Sequence, residues 1–380
     1  MKKIVIILLL GITIFTYAKQ TPPKEEQRGV FISYMEEQRY FSEDYKKTRR
    51  NIKKMIKNIK KSKMNLVILQ VRSNSDAIYP SAYFPWSKVL TGVEGEEYFD
   101  VLKYFIEECH EEDIKLYAWI NPYRIRTMDE IETISKKNPA YPYLGTETVY
   151  RKNGVYFNPS KKEVEDLIVN GVEEIVKNYE VDGILFDDYF YPGDDVDNKD
   201  YEEYINHNDY ITISNYRLNI INQMVKRVYA VCKKYKVPFG ISPDGNISNN
   251  YQNHYADVLR WVKEDGYVDF IMPQIYYGFF NETKPFYQTV KEWNKEITEE
   301  EVDLMIALAL YKSGSIDEYA KSGREEWINY NNIIKREIIV SRNLSHYTGF
   351  SIFRYDNLYQ EEYYNEQLME EVKNFTEILN

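Results

Sequence analysis

The chain has 380 residues, 43% of them hydrophobic and 29% charged, with a formal net charge of −11. That is the composition of a soluble globular protein with room for one large domain or two ordinary ones. The acidic balance, with no dense run of Lys and Arg, excludes nucleic acid phosphates as a partner.

The N-terminus carries Lys2 and Lys3, then an apolar run from Ile4 to Phe15 that ends at Thr16-Tyr17-Ala18. A basic start, a short apolar core and a small-residue end predict a secretory signal peptide over residues 1–18, cleaved after Ala18. The run is short for a membrane span, and no Cys follows it to take a lipid. The expectation is an exported protein, periplasmic or extracellular, with no stable membrane anchor after cleavage. Residues 19–27 read as a polar linker, and residues 28–380 as one domain.

Within that domain, RGVFIS (28–33) reads as a first strand, and 44–63 as an amphipathic helix with Ile52, Met55, Ile56 and Ile59 on one face. NLVILQVR (65–72) is a second, continuously apolar strand of the kind found in buried parallel sheets. A long loop (73–97), a helix (98–112) and a third strand, KLYAWIN (115–121), follow. The excursion 125–159 is too long for a simple connection and predicts an ordered flap. A helix over 160–179 starts with Ser160 as N-cap and Glu163 at capping-box spacing. VDGILFDDYFYP (181–192) is the fourth strand, and the acids that trail it at 194–200 predict a solvated loop.

Helix and strand then alternate to the end: helix 209–235, strand 237–241, helix 253–264, strand 268–275, helix 284–297, strand 303–310, helix 324–342, strand 349–353 and helix 360–379. Cys109 and Cys232 fall inside helical patterns and predict buried packing rather than a bridge. Eight strand–helix units make an α/β fold, a single (β/α)8 TIM barrel with long loops after strands 2, 3 and 4. No glycine-rich phosphate loop follows any strand, which argues against a doubly wound dinucleotide fold.

Barrels of this kind place function at the C-terminal strand ends. Those positions hold carboxylates, amides, Arg and Tyr, while all four His fall in helices or connections. That pattern speaks against a His-based zinc site and against Ser-His-Asp acyl transfer, and no metal or cofactor is predicted. Two carboxyl groups among amides and aromatic rings suit glycoside hydrolysis, in which one acid protonates the leaving oxygen while the other attacks the sugar or activates water. Asp187 and Asp188, at the end of the fourth strand, are the leading catalytic pair.

Seven stretches sharpen this reading: RGVFIS, VRSNSDAIYPSAYFPWSKVLTG, YAWINPYR, YFNPS, VDGILFDDYFYP, FGISP and VDFIMPQIYYG. In that order, over about residues 28–278, the chain resembles the glycosyl-hydrolase-like family ten, exported bacterial barrels of the large glycoside hydrolase superfamily. The resemblance implies hydrolysis of a polysaccharide or oligosaccharide, with peptidoglycan glycan strands as the expected substrate. It departs from the family's pattern after FGISP, where Asp244-Gly245 replaces an aromatic or apolar residue followed by Gly. Gly183 to Asp187 has the spacing that retaining amylase-type enzymes use for their nucleophile. Tyr189 stands where chitinase-like barrels need a Glu.

Asp187 is therefore the expected nucleophile or base, and Asp188, Asp76 and Asp244, in that order, are candidates for the general acid. Arg72, Asn121, Tyr123, Arg124, Tyr189, Tyr191, Gln274 and Tyr276 are the expected sugar-binding set. Trp119 and Trp261 are assigned to packing. The competing expectation is a non-catalytic glycan-binding barrel at the cell wall.

Overall fold

The computed structural model describes residues 25–379. The expected signal peptide and residues 19–24 of the expected linker lie outside the described residues. Eight parallel strands close into a barrel: β1 (Gln27–Ile32), β2 (Leu66–Arg72), β3 (Lys115–Ile120), β4 (Gly183–Phe186), β5 (Phe239–Ile241), β6 (Phe270–Ile271), β7 (Asp303–Leu308) and β8 (Tyr347–Ile352). Closure comes from β1, which pairs with β2 on one side (Gly29 with Leu66) and with β8 on the other (Gln27 with Gly349).

The barrel starts before the expected domain boundary. Gln27 is already in β1, and Glu26 is buried in a clasp with Arg342 (2.7 Å), Arg28 (2.9 Å) and the Tyr347 hydroxyl (3.0 Å). Several helices also differ in extent. The helix expected over 209–235 runs Ile213–Tyr235, and two unforeseen helices appear, Asn198–His207 before it and Tyr34–Tyr40 after β1. Ser160 does not cap its helix: Lys162–Asn178 begins two residues later with no side-chain cap, and the Ser160 hydroxyl donates to Asn158 Oδ1 instead.

Side chains alternate along the strands and sort into two layers. Leu66, Ile68, Tyr117, Trp119, Leu185 and Phe270 fill the barrel interior. Val67, Leu69, Leu116, Ala118, Ile184 and Phe186 face the helices, where Ile52, Met55, Ile56 and Ile59 of the Tyr45–Lys61 helix meet them. Asp44 caps that helix by accepting from the Lys46 N–H. Glycines make room for the interior rings: a Cβ on Gly183 would lie 2.7 Å from the Tyr117 ring, and one on Gly240 only 2.3 Å from that of Phe270. Both cysteines are buried and free, as expected, and Trp261 is a core residue whose indole donates to Asn222.

The excursion after β3 is ordered. It carries a three-stranded antiparallel sheet, Arg124–Arg126, Val155–Phe157 and Val149–Arg151. The acidic segment after β4 is not wholly solvated. Asp197 is fully buried, paired with Arg217 at 2.7 Å, and accepts from the Tyr191 hydroxyl at 2.9 Å. Among the described residues, no helix is long and apolar enough to cross a membrane.

Candidate active site

The alternation of β4 aims Asp187 into the barrel. Leu185 faces inward, and Asp187, two residues on, continues that face beyond the last strand residue, Phe186. The chain then turns, so Asp188 does not point away as strict alternation would require. Both carboxyls line one cavity of about 170 Å³ at the C-terminal mouth, with Phe31, Ser33, Tyr34, Gln70, Trp119, Arg124, Tyr189, Gln274, Tyr276 and Phe353 among its walls.

Asp187 is only 4% exposed and is held by donors. Its Oδ2 accepts from the Trp119 indole N–H at 3.0 Å and from the Asn121 amide, and its Oδ1 from the Tyr189 backbone N–H at 3.3 Å. The amide orientation is dictated from a distance. The Tyr34 N–H can only donate, and it gives its hydrogen to Gln70 Oε1 at 2.9 Å. Gln70 therefore turns its NH₂ to Asn121 Oδ1, and Asn121 turns its own NH₂ to Asp187. Arg124, likewise donor-only, agrees by giving Nη2–H to the same Asn121 oxygen at 2.9 Å. Asp187 Oδ2 is thus saturated by groups that cannot accept a proton, and Oδ1 carries only the longer Tyr189 contact.

Burial pushes the Asp187 pKa up to about 7; the neighbouring Asp188 charge adds to this, and the Arg124 guanidinium and the Trp119 and Tyr189 donors oppose it. Asp188 is raised too, by burial, with His254 and the Gln274 amide pulling the other way. Gln274 Nε2 reaches Asp188 Oδ1 at 3.1 Å and the Ser242 carbonyl at 3.0 Å. Two adjacent carboxyls in one buried site resist joint ionisation, which favours one proton shared between them. Tyr276 stands edge-on to Tyr311 (centroids 5.9 Å apart, 88°) and tilted against Phe353, which makes one wall aromatic. Arg124 lies between the Tyr34 and Tyr189 rings, 5.6 and 5.8 Å from their centroids.

Of the expected residues, Asp187, Asp188, Asn121, Arg124, Tyr189, Gln274 and Tyr276 come together here. Others do not. The β2–β3 register shifts between Gln70 and Arg72, and this bulge turns Arg72 out of the barrel, 4.0 Å over the Phe84 ring and against Gly171 of the Lys162–Asn178 helix. Tyr123 is buried in the outer layer, and Tyr191 is spent on Asp197 and the Tyr255 ring. Asp76 is buried beside Arg126 and Glu94, off the cavity walls; burial raises its pKa to about 6 against the pull of Arg126. Asp244 lies in an adjoining side cavity, where it accepts from the Asn246 N–H (2.7 Å), Asn249 Nδ2 (2.6 Å) and the Tyr277 hydroxyl (3.2 Å). That makes it the anchor of its loop.

Trp119 packs in the barrel interior as expected, and its N–H is in addition a direct partner of Asp187. Its place in YAWIN, one pleat from the strand end, was the available signal. Tyr34 was missed because the helix after β1 was not foreseen. Among the described residues, no group of three or more His, Cys, Asp or Glu side chains is disposed to hold a metal ion.

The closed parallel barrel is a fold shared with glycosidases of known structure. It superposes with TM-score 0.56 on the PgaB (BpsB) glycoside hydrolase domain from Bordetella bronchiseptica, at 12% identity over 93% of this chain and 99% of that one. The catalytic domain of β-amylase from Paenibacillus polymyxa gives TM-score 0.57, at 11% identity over 95% and 100%. The likeness at these identities is one of fold. The chain belongs to the glycosyl hydrolase-like 10 family, whose model matches residues 26–324. It is 34% identical over 330 residues to glycosyl hydrolase YngK of Bacillus subtilis (strain 168), covering 80% of this chain and 62% of that protein, less than two thirds of its length. It is 31% identical over 326 residues to glycosyl hydrolase DigH of Escherichia coli (strain K12), covering 78% and 73%.

Proposed function

We propose that the protein is an exported glycoside hydrolase that cleaves glycosidic bonds of a bacterial polysaccharide, the glycan strands of peptidoglycan. The observation that carries this reading is the Asp187–Asp188 pair, with Asp187 oriented by Trp119 and Asn121 in a cavity walled by Tyr34, Tyr189 and Tyr276. The bacterial relatives named as glycosyl hydrolases and the signal-peptide pattern support the substrate class and the export.

The donor set defines the roles. Three N–H groups directed at one carboxyl favour its anionic form, so Asp187 Oδ1 supplies the electron pair, to the sugar directly or through a water molecule. Asp188 holds the shared proton and gives it to the leaving glycosidic oxygen. Tyr189 and Tyr276 offer ring faces to the sugar, Arg124 donates to its hydroxyls, and Gln274, whose NH₂ is taken by Asp188 and the Ser242 carbonyl, accepts from them at Oε1. Water is consumed and one new reducing end appears per cleavage.

The test is digestion of purified glycan strands, with product masses and reducing ends measured for the intact protein and for Asp187→Asn. Reducing-end products from the intact protein should fall by a factor of about 10³ or more in the variant, the scale of losing an essential catalytic group. Strand binding without products from the intact protein would instead establish a glycan-binding barrel.

A further inference from the structure

Three hollows lie side by side at the catalytic mouth and share walls. The central cavity shares Asp188, Gln274 and Tyr276 with the side cavity, which measures about 200 Å³. It shares Tyr34 with an open groove of about 780 Å³. The two neighbours touch opposite parts of the central site: one meets it at the ends of β4 and β6, the other at the end of β1. A chain threaded through the mouth therefore has somewhere to go in both directions.

The groove is built by the Tyr34–Tyr40 helix, the turn after it and the short helix Lys88–Thr91. Its lining is mixed rather than apolar. Gln38, Ser42 and Asn74 bring two amides and a hydroxyl, Tyr34 and Val89 bring apolar faces, and Lys47 and Lys88 bring charge. Amides and hydroxyls match the dense hydroxyls of a sugar, and a Tyr face matches the C–H side of a pyranose ring. Tyr34 is braced where it bridges the two spaces: its backbone N–H is tied to Gln70 Oε1, and the Arg124 guanidinium lies over its ring. The side cavity is smaller and internally bonded. Lys312 Nζ is held by Asp317 at 2.8 Å and by the Tyr276 carbonyl at 2.7 Å.

Resting on the hydrolase reading of the acid pair, we infer that the groove is an extended binding arm for the glycan, so that the protein grips several sugars on one side of the scissile bond and few on the other. The volumes set this asymmetry, since the groove is more than four times the size of the central cavity and nearly four times that of the side cavity. The consequence is cleavage inside a chain, with oligosaccharides rather than single end units released first.

Binding and cleavage are read separately. The Asp187→Asn protein is titrated calorimetrically with glycan-strand fragments of two and of eight sugars. The expected result is an affinity gain with length of at least about tenfold. Gln38→Arg and Val89→Arg, each introduced into Asp187→Asn, should each cut that gain to about threefold or less. Two variants on separate elements guard against a local folding defect in either. Equal affinity for both lengths, or a length gain that survives both substitutions, overturns the groove. Should the protein with Asp187 intact cleave nothing while the length gain is present and lost in the variants, the hydrolase reading falls and the groove stands.

Discussion

Trp119→Phe tests the reasoning about Asp187 most directly. The substitution keeps an aromatic ring against Phe31, whose centroid lies 5.5 Å away edge-on, and removes only the indole N–H that reaches Asp187 Oδ2 at 3.0 Å. A hydrogen bond to a charged group is worth about 1.5–3 kcal/mol, and one pKa unit corresponds to about 1.36 kcal/mol. The lost donor therefore raises the Asp187 pKa by about one to two units from its starting value of about 7. Asp187 acts ionised, so activity is lost as pH falls through its pKa. The acid limb of kcat/KM should accordingly move from near 7 to about 8–9, and activity at pH 7 should fall roughly 5- to 50-fold. The assay is reducing-end release from glycan strands between pH 5 and 10. An acid limb left in place, with a loss uniform across pH, would refute the argument. A limb in the intact protein that falls as pH rises through 7 would show that Asp187 is the proton donor, and the two roles would exchange.

Two further predictions concern stability. Asp197→Ala leaves Arg217 buried without its carboxylate, which costs about 3–5 kcal/mol; denaturant unfolding should show the loss, while turnover per folded molecule holds. Glu337 has both side-chain oxygens buried and unbonded, and burial pushes its carboxyl well above the ordinary 4.5, with Glu371 and Glu326 adding to the shift. A raised folded pKa means the folded state holds an extra proton. This contribution is present in full below 4.5 and is lost as pH rises toward the folded value. Glu337→Gln removes the titration. Its melting temperature should fall less steeply than that of the parent as pH rises from 5 to 9, and equal slopes would contradict the assignment.

The barrel was legible because buried parallel strands read as apolar runs, and eight of them recur with helical patterns between. Asp187 was legible for a related reason: a period of two carries the inward face from Leu185 to the first polar position. Arg72 shows where that logic stops, since one bulge in β2 reverses the parity that a string of residues displays. The packing of Trp119 was legible but its bond to Asp187 was not, because hydropathy registers an indole as apolar and says nothing of its N–H. Tyr123 and Tyr191 have the residue type expected of a sugar platform, but their rings are consumed by packing and their sequence neighbours do not reveal it. Asp197 looked solvated because its partner, Arg217, is 20 residues away on another helix. The groove was invisible altogether, being made by a short helix and loops that meet only in three dimensions.

The clasp around Glu26 has a directional consequence. Glu26 sits at the start of β1, and the Arg28 guanidinium beside it also donates to the carbonyl of Leu379, at 2.8 Å. Both ends of the described chain therefore leave from the barrel's lower rim, and the acid pair opens at the upper one. A reporter or affinity handle placed directly before Glu25 or after Leu379 would start beneath the barrel, on the side away from the mouth.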